Sequence, residues 1–132
     1  MKRAMAIRIV RLGSPRAPGE GVRIGTVRRP PRGVPKRDFA RGDFYDVWLP
    51  ELAPSESLLK AARSVASAPD WERFRRRFRA ELAEPPGRRL LDLFAALSHQ
   101  ADFAVGCYCA EEQRCHRSIL REALAERGAA IR

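Results

Sequence analysis

A short apolar run, Ala101–Cys107, lies between two stretches whose apolar residues recur at helical spacing. A run of this length and composition is typical of a strand that is buried on both faces. Two earlier strands are predicted over residues 5–11 and 22–27, which are rich in β-branched residues. Because helical segments separate these early strands from the late one, the connections are crossovers. The sequence therefore predicts an α/β fold, a single three-layer domain with a small, mostly parallel sheet flanked by helices.

Four helices are predicted from the spacing of apolar residues and from the capping residues that precede them. The second of these helices begins with Asp70 as its N-cap and places Trp71, Phe74, Phe78 and Leu82 on one face. Trp48 and Leu52 are predicted to lie in the core. The other helices are predicted over residues 56–66, 88–98 and 115–127, with a short helical turn near residues 36–41 and an edge strand beginning at residue 129.

The length of 132 residues suits one domain, and we expect residues 1–132 to form it. No apolar stretch is long enough for a membrane span, and Arg8 and Arg11 interrupt the N-terminal segment where a signal peptide would need an apolar run. Three cysteines close together do not resemble a secreted disulfide scaffold. We therefore expect a cytoplasmic protein with reduced thiols and no membrane partner.

The formal net charge of +10 indicates an anionic partner. Nucleic acid, a nucleotide phosphate and a membrane surface all fit this charge. The 26 basic residues include only three lysines, however, and the arginines are widely spread, which is also what a biased base composition produces. A nucleic-acid-binding module that uses the arginine-rich surface, densest at residues 73–79, remains an alternative hypothesis.

The cysteines mark the predicted functional segment. Cys107 and Cys109 lie where the late strand ends, and Cys115 and His116 open the next helix. Ligands of parallel sheets bind at such strand ends, beside helix N-termini whose dipole favours negative charge. With Arg117 nearby, these surroundings favour a reactive thiolate or the binding of a phosphate or carboxylate.

From this segment, Cys109, Cys115 and His116 are predicted as catalytic residues, acting as nucleophile or proton carrier. Cys107 and Arg117 are predicted to contact the ligand. Two other interpretations of the cysteines remain open: burial as small core residues, and a structural zinc site. Because neighbouring residues on a helix project about 100° apart, Cys115 and His116 suit one metal poorly. No metal ligand and no cofactor are therefore predicted.

Early residues are also expected to contribute. Arg28 and Arg32 flank a rigid Pro30-Pro31 segment after the second strand, and guanidinium groups on a rigid loop suit oxyanion binding. Tyr45 is predicted to line the same pocket. The central expectation is that these residues and the late cysteine segment meet in one electropositive hollow at the carboxyl edge of the sheet.

At these residues the chain resembles the domain of unknown function 488 family, in its YeaO-like branch. The resemblance covers nearly the whole chain. It is carried by Pro31-Arg32-Gly33-Val34, by Leu49-Pro50-Glu51-Leu52-Ala53-Pro54-Ser55, by the helix with Trp71, Phe74, Phe78 and Glu81-Leu82, and by Cys107-Tyr108-Cys109, Cys115-His116-Arg117 and Leu120.

The resemblance implies a compact three-layer α/β domain with these loops close to one another. The chain departs from the family pattern at Thr26 or Val27, where the wider family often has an acid, and at Pro30, where YeaO-like members commonly have tryptophan. The function expected is binding of an anionic small molecule or nucleotide, with thiolate chemistry as an option. No motif fixes a reaction class, so the sequence leaves open whether the protein is an enzyme.

Overall fold

Four parallel strands form the sheet of the computed structural model, which describes residues 4–112 and 115–132. The strands are β1 (Ile7–Arg11), β2 (Val22–Gly25), β3 (Val47–Trp48) and β4 (Phe103–Cys107). Their order across the sheet is β1-β4-β2-β3, and each neighbouring pair is parallel. β4 therefore lies inside the sheet, and all five of its residues are buried. The predicted α/β fold with a mostly parallel sheet is confirmed.

The four predicted helices are present, with shifted ends. They are α1 (Glu56–Ala62), α2 (Ala68–Leu82), α3 (Gly87–Leu97) and α4 (His116–Glu126), and short 3-10 turns form at Lys36–Asp38 and Pro50–Leu52. The N-cap of α2 is Ser67 rather than Asp70, because the Ser67 hydroxyl accepts a hydrogen bond from the Asp70 amide at 3.2 Å. Pro69 then occupies the first turn, where its missing N–H costs nothing.

Two hydrophobic clusters cover the two faces of the sheet. All four helices pack into the larger cluster through buried residues such as Leu58, Phe78, Leu91 and Ile119. The smaller cluster contains Leu12, Val27, Tyr45, Cys107 and Cys115, with Phe39, Phe44 and Tyr108 beside it. Successive strand residues point to opposite faces of the sheet. The smaller cluster lies on the face away from the helices, and the segment around residues 39–45 covers it.

A fully buried ion pair supports this second layer. Arg23, in β2, is 0% exposed and Glu20 is 3% exposed. The Arg23 Nε and Nη2 donate to the two Glu20 carboxylate oxygens at 2.8 and 2.9 Å, and Nη1 donates to the carbonyls of Ser14 and Asp43. Burial alone would raise the pKa of Glu20, but hydrogen bonds from Arg23 and the Ala17 amide hold it below its ordinary value. The pair thus ties two loops to β2.

The strand β3 was not predicted, and it places Trp48 at the edge of the sheet. Trp48 is 42% exposed, so its predicted position in the core is wrong, whereas Leu52 is buried as predicted. The indole N–H of Trp48 donates to the Val27 carbonyl at 2.7 Å. The exposed ring is therefore fixed by a polar bond and by its edge-strand position.

The predicted C-terminal edge strand is reduced to a single parallel bridge between Ile131 and Ile7. The Ile7 amide donates to the Ala130 carbonyl at 2.9 Å, and the Arg132 amide donates to the Ile7 carbonyl at 2.8 Å. Within the described residues, no helix combines the length and the apolarity that a bilayer crossing requires. Cytoplasmic location remains a prediction.

Candidate functional site

Three sulfur atoms converge where β4 ends and α4 begins. Cys107 is the last residue of β4, Cys109 follows two residues later, and Cys115 is the N-cap residue of α4. Their Sγ atoms all lie within 4.8 Å of one another. Cys107 and Cys115 are 1% and 2% exposed, whereas Cys109 is exposed to solvent. We call these three residues the cysteine group.

The Sγ atoms of Cys107 and Cys115 are in direct contact, and their Cα atoms lie 7.9 Å apart. Disulfides usually span about 4.4–6.8 Å between Cα atoms, and wider pairs need backbone movement before they can be bridged. The spacing therefore suits sulfurs that face a common centre better than a covalent bridge. The structure nevertheless pairs these two cysteines as a disulfide and leaves Cys109 free, so reduced thiols stay a prediction.

His116 is fixed between the cysteine group and the end of β2. Its Nε2–H donates to the Thr26 carbonyl oxygen at 2.8 Å, while its Nδ1 lies 4.0 Å from the Cys115 Sγ. The ring meets Phe78 edge to face at 5.8 Å between centroids. Burial is the main reason that the pKa of His116 is lowered, to about 4. The imidazole is therefore neutral at pH 7, and its Nδ1 lone pair faces the sulfur.

The backbone conformation of Cys115 allows its side chain and that of His116 to point in the same direction. Cys115 has extended dihedral angles (φ −120°, ψ 149°) and precedes the helix that His116 begins. The 100° spacing of successive helical residues consequently does not apply to this pair. Cys115 Sγ and His116 Nδ1 can thus face the same point.

Arg117 lies beneath the cysteine group rather than at the surface. It is 5% exposed. Its Nη1 is 3.9 Å from the Cys107 Sγ and 3.3 Å from the Val10 carbonyl, and its Nη2 donates to the Ala110 carbonyl at 3.4 Å. Burial lowers its pKa from the ordinary value.

No ion pair to Arg117 forms among residues 4–112 and 115–132, and its buried Nε lacks a hydrogen-bond partner there. Glu112, whose charge acts on Arg117, instead accepts a hydrogen bond from the Arg121 Nη2 at 2.9 Å. Within the described residues, the Cys107 sulfur contacts this buried positive charge, and Glu112 acts on it without an ion pair.

A cavity of about 240 Å³ joins the cysteine group to the segment that follows β2. We call it the thiol cavity. It is lined by Val27, Arg28, Arg29, Pro54, Leu59, Cys107, Tyr108, Cys109 and His116. A second hollow of about 240 Å³, among α1 and α2, shares Leu59, Cys109 and His116 with it. Cys109 and His116 thus lie where the two spaces adjoin.

Arg28 and Arg29 supply the positive charge of the thiol cavity. The Arg28 Nε and Nη2 donate to the carbonyls of Pro54 and Ala53 at 3.0 and 3.1 Å, which orients the guanidinium and leaves Nη1 free of these bonds. The Arg29 side chain is 75% exposed and pairs with Glu56 at 2.8 Å. The structure thus brings Arg28 together with Cys107, Cys109 and His116.

Arg32 and Tyr45 lie elsewhere. Arg32 is exposed and lines neither the thiol cavity nor the second hollow. Tyr45 is 4% exposed and packs its ring against Phe39 at 5.2 Å and against the backbone of Gly25. Burial raises the pKa of Tyr45, and its hydroxyl has no hydrogen-bond partner in the described part of the chain. It also borders a separate cavity beside Trp48.

Five residues of the thiol cavity were not predicted as site residues: Val27, Arg29, Pro54, Leu59 and Tyr108. Tyr108 lies between two predicted residues, and its hydroxyl donates to the Arg29 carbonyl at 2.8 Å. Burial raises the pKa of Tyr108 well above its ordinary value. Adjacency to Arg28 and to the cysteines was a usable signal for Arg29 and Tyr108, whereas Leu59 looked like an ordinary helical core residue.

The arginine-rich helix α2 is partly neutralised by α4. The Arg75 Nε donates to Glu122 at 2.9 Å, and Arg79 pairs with Glu126. These bonds direct part of the basic face toward the protein rather than toward a partner. Nucleic-acid binding by this surface remains a prediction.

Comparison with known proteins gives one family. A family model described as the active DUF488-N3 subclade, DUF488-N3a, matches residues 7–128. The uncharacterized protein YeaO of Escherichia coli (strain K12) is 37% identical over 91 residues, which are 67% of this chain and 74% of that protein. No solved structure matches the chain. The resemblance drawn from the sequence motifs is confirmed.

Proposed function

The chain belongs to the DUF488 family, and we propose that it binds a small anionic molecule or nucleotide in the thiol cavity, with Cys109 as the sulfur that meets the ligand. The observation that carries this proposal is the shared lining of one cavity by Arg28, Cys109 and His116. A cleft that combines apolar walls with a few convergent polar groups is the usual form of a small-molecule site.

The cations are placed to hold an oxyanion at one end of the cavity. Arg28 is oriented by the Pro54 and Ala53 carbonyls, so less conformational freedom is lost when its Nη1 contacts a ligand. The Arg29 guanidinium pairs with the exposed Glu56 carboxylate, which a phosphate can displace. Together they provide a two-residue anion contact.

The size of the cavity limits the ligand. Drug-sized molecules occupy about 300–1,000 Å³, and the thiol cavity holds about 240 Å³. Val27, Pro54 and Leu59 form its apolar wall. A sugar phosphate or a nucleoside monophosphate fits these dimensions better than a dinucleotide.

Cys109 is the cysteine best placed to react. Cys107 and Cys115 are almost fully buried, whereas Cys109 is exposed at the junction of the two spaces. The cysteines predicted from sequence therefore separate into an exposed sulfur for the ligand and two buried supporting sulfurs. His116 lines the same cavity and directs its Nδ1 toward the Cys115 sulfur.

Alkylation of Cys109 tests the proposal. Reduced protein is treated with iodoacetamide, and labelling is followed by mass spectrometry with inorganic phosphate, ribose 5-phosphate or adenosine monophosphate present. We expect at least one of these compounds to slow labelling of Cys109 in a saturable manner. Arg28→Met and Arg29→Met should each weaken this protection at least tenfold.

Arg89→Met, at an exposed position on α3, is the matched control and should leave protection unchanged. The proposal is overturned if none of the three compounds protects Cys109 up to millimolar concentration. It is also overturned if the compounds protect Cys109 in Arg28→Met and Arg29→Met as well as they do in the wild type.

A further inference from the structure

We infer that Cys107, Cys109 and Cys115 bind one thiophilic divalent cation, Zn²⁺ by its chemistry, with the Nδ1 of His116 as the fourth ligand. The inference uses the same cysteines as the proposed function and gives that site a metal. It does not depend on the binding of an anionic ligand.

The positions of the sulfurs support a common ion. Tetrahedral zinc with Zn–S bonds of about 2.3 Å keeps its sulfurs about 3.8 Å apart. All three Sγ atoms lie within 4.8 Å of one another, and the sulfurs of Cys107 and Cys115, which are in contact, would separate to this spacing around the ion. The wide Cα separation of Cys107 and Cys115, 7.9 Å, disfavours the covalent alternative for the two buried sulfurs.

The buried guanidinium of Arg117 favours negative charge on the sulfurs of the cysteine group. Arg117 is 5% exposed, and within the described residues it has no ion pair and an unpartnered Nε. Among the described residues, Glu112 acts on this guanidinium without an ion pair, so three neutral thiols would leave no negative group in contact with the buried charge. Three thiolates with one Zn²⁺ carry a net charge of −1, and the Arg117 Nη1 lies 3.9 Å from one of these sulfurs. The metal-bound form therefore neutralises the site.

His116 has the arrangement typical of a metal-bound imidazole. Such a ligand usually donates its other ring N–H to a carbonyl or carboxylate, which fixes the tautomer and the ring orientation. The Nε2–H of His116 donates to the Thr26 carbonyl at 2.8 Å, and its Nδ1 lies 4.0 Å from the Cys115 Sγ. A nitrogen and a sulfur that share one zinc ion lie about 3.6 Å apart, so a small side-chain movement completes the set.

A metal here affects the thiol cavity directly. Cys109 is the exposed member of the cysteine group and lines that cavity. A coordinating thiol is deprotonated by its ion. Bound Zn²⁺ would thus keep the Cys109 sulfur as a thiolate beside the ligand, with no base needed to remove its proton.

Cobalt substitution tests the inference. The full-length protein is reduced, stripped with a chelator and titrated with Co²⁺ alone. We expect one equivalent to produce a sulfur-to-cobalt charge-transfer band and the visible bands of tetrahedral cobalt, and one equivalent of Zn²⁺ to abolish both. Cys109→Ser, which changes an exposed side chain, should weaken Co²⁺ binding at least 100-fold.

A separate pair of variants tests His116 as the fourth ligand. His116→Ala should keep the charge-transfer band but alter the visible bands and weaken Co²⁺ binding at least tenfold, whereas the exposed His99→Gln should bind as the wild type does. Unchanged cobalt spectra in His116→Ala would remove His116 from the set. Absence of a charge-transfer band in the reduced wild type, or full affinity in Cys109→Ser, would overturn the site.

Arg28→Met separates this inference from the proposed function. It should bind Co²⁺ normally while losing phosphate protection of Cys109, because Arg28 lines the cavity and is not one of the proposed metal ligands. If the wild type fails to bind Co²⁺ but a phosphate compound still protects Cys109, the metal site is contradicted and the anion site is not. Cobalt binding without protection by any phosphate compound would contradict the anion site alone.

Discussion

The imidazole of His116 and the carbonyl of Thr26 join the first residue of α4 to the chain just beyond β2, at 2.8 Å. Thr26 is 0% exposed, and its own amide and hydroxyl both donate to the Gly106 carbonyl. These buried hydrogen bonds thus connect the end of β2, β4 and the helix that His116 begins. The position of His116 is therefore set by the sheet rather than by the loop before it.

His116→Ala should destabilise the metal-free protein by about 1–3 kcal/mol, because the buried Thr26 carbonyl loses its donor. The free energy of unfolding is measured by urea denaturation in the presence of a chelator. His99→Ala is the control, since His99 makes a comparable 2.9 Å bond to the Gly128 carbonyl at an exposed position. It should change stability by less than about 0.5 kcal/mol. Equal losses in the two variants would contradict this role of the His116 bond.

Glu20→Gln should cost about 3–5 kcal/mol, because it removes the carboxylate that pairs directly with the fully buried guanidinium of Arg23. Asp92→Asn breaks the exposed pair with Arg127 and serves as the control, with an expected loss below about 1 kcal/mol. Both values come from chemical denaturation at neutral pH. A loss in Glu20→Gln no larger than that in Asp92→Asn would show that the buried pair contributes little.

The Glu20 carboxyl also predicts that the stability of the protein depends on pH. Although burial acts to raise it, the folded-state pKa of Glu20 lies below its ordinary value of 4.5 because of Arg23 and the Ala17 amide. A lowered pKa contributes stability that is present above pH 4.5 and is lost as the pH falls through the folded-state value. The stability difference between wild type and Glu20→Gln should therefore shrink on acidification below pH 4.5. A difference that stays constant or grows would be inconsistent with the ion pair.

Gly25→Ala should destabilise the protein by about 1–3 kcal/mol, since an added Cβ would lie 2.3 Å from the Cδ2 of Tyr45. Gly87→Ala is the matched control. Its Cβ would meet the Leu82 Cα at an ordinary 3.5 Å, at the first residue of α3, where alanine is the better helix former. Thermal denaturation should show a lower midpoint for Gly25→Ala and an unchanged or higher midpoint for Gly87→Ala. Tolerance of alanine at both positions would mean that Tyr45 is loosely packed.

Helical spacing and apolar runs were sufficient to predict the elements that contact the core. β4 and the apolar face of α2 follow from sequence because periodic burial is recorded in residue type. β3 has only two residues, too few for alternation to be visible. It is an edge strand, which also explains why Trp48 remains partly exposed.

The burial of charged side chains could not be predicted from the sequence. In a chain with this many arginines, Arg23 and Arg117 look like any others, yet each is 5% exposed or less. Their burial depends on partners at distant positions, such as the Val10 carbonyl for Arg117. The spacing of the cysteines likewise does not show that their sulfurs lie within 4.8 Å of one another.

The position of β4 inside the sheet has a consequence for biosynthesis. β1 and β2 are made first, but they are not neighbours, and each depends on β4 for its backbone bonds in the sheet interior. The nascent chain must hold about a hundred residues before the partner of its first strand exists. Assembly of the sheet therefore waits for the synthesis of β4, and a polypeptide that terminates before Phe103 lacks the strand that joins β1 to β2.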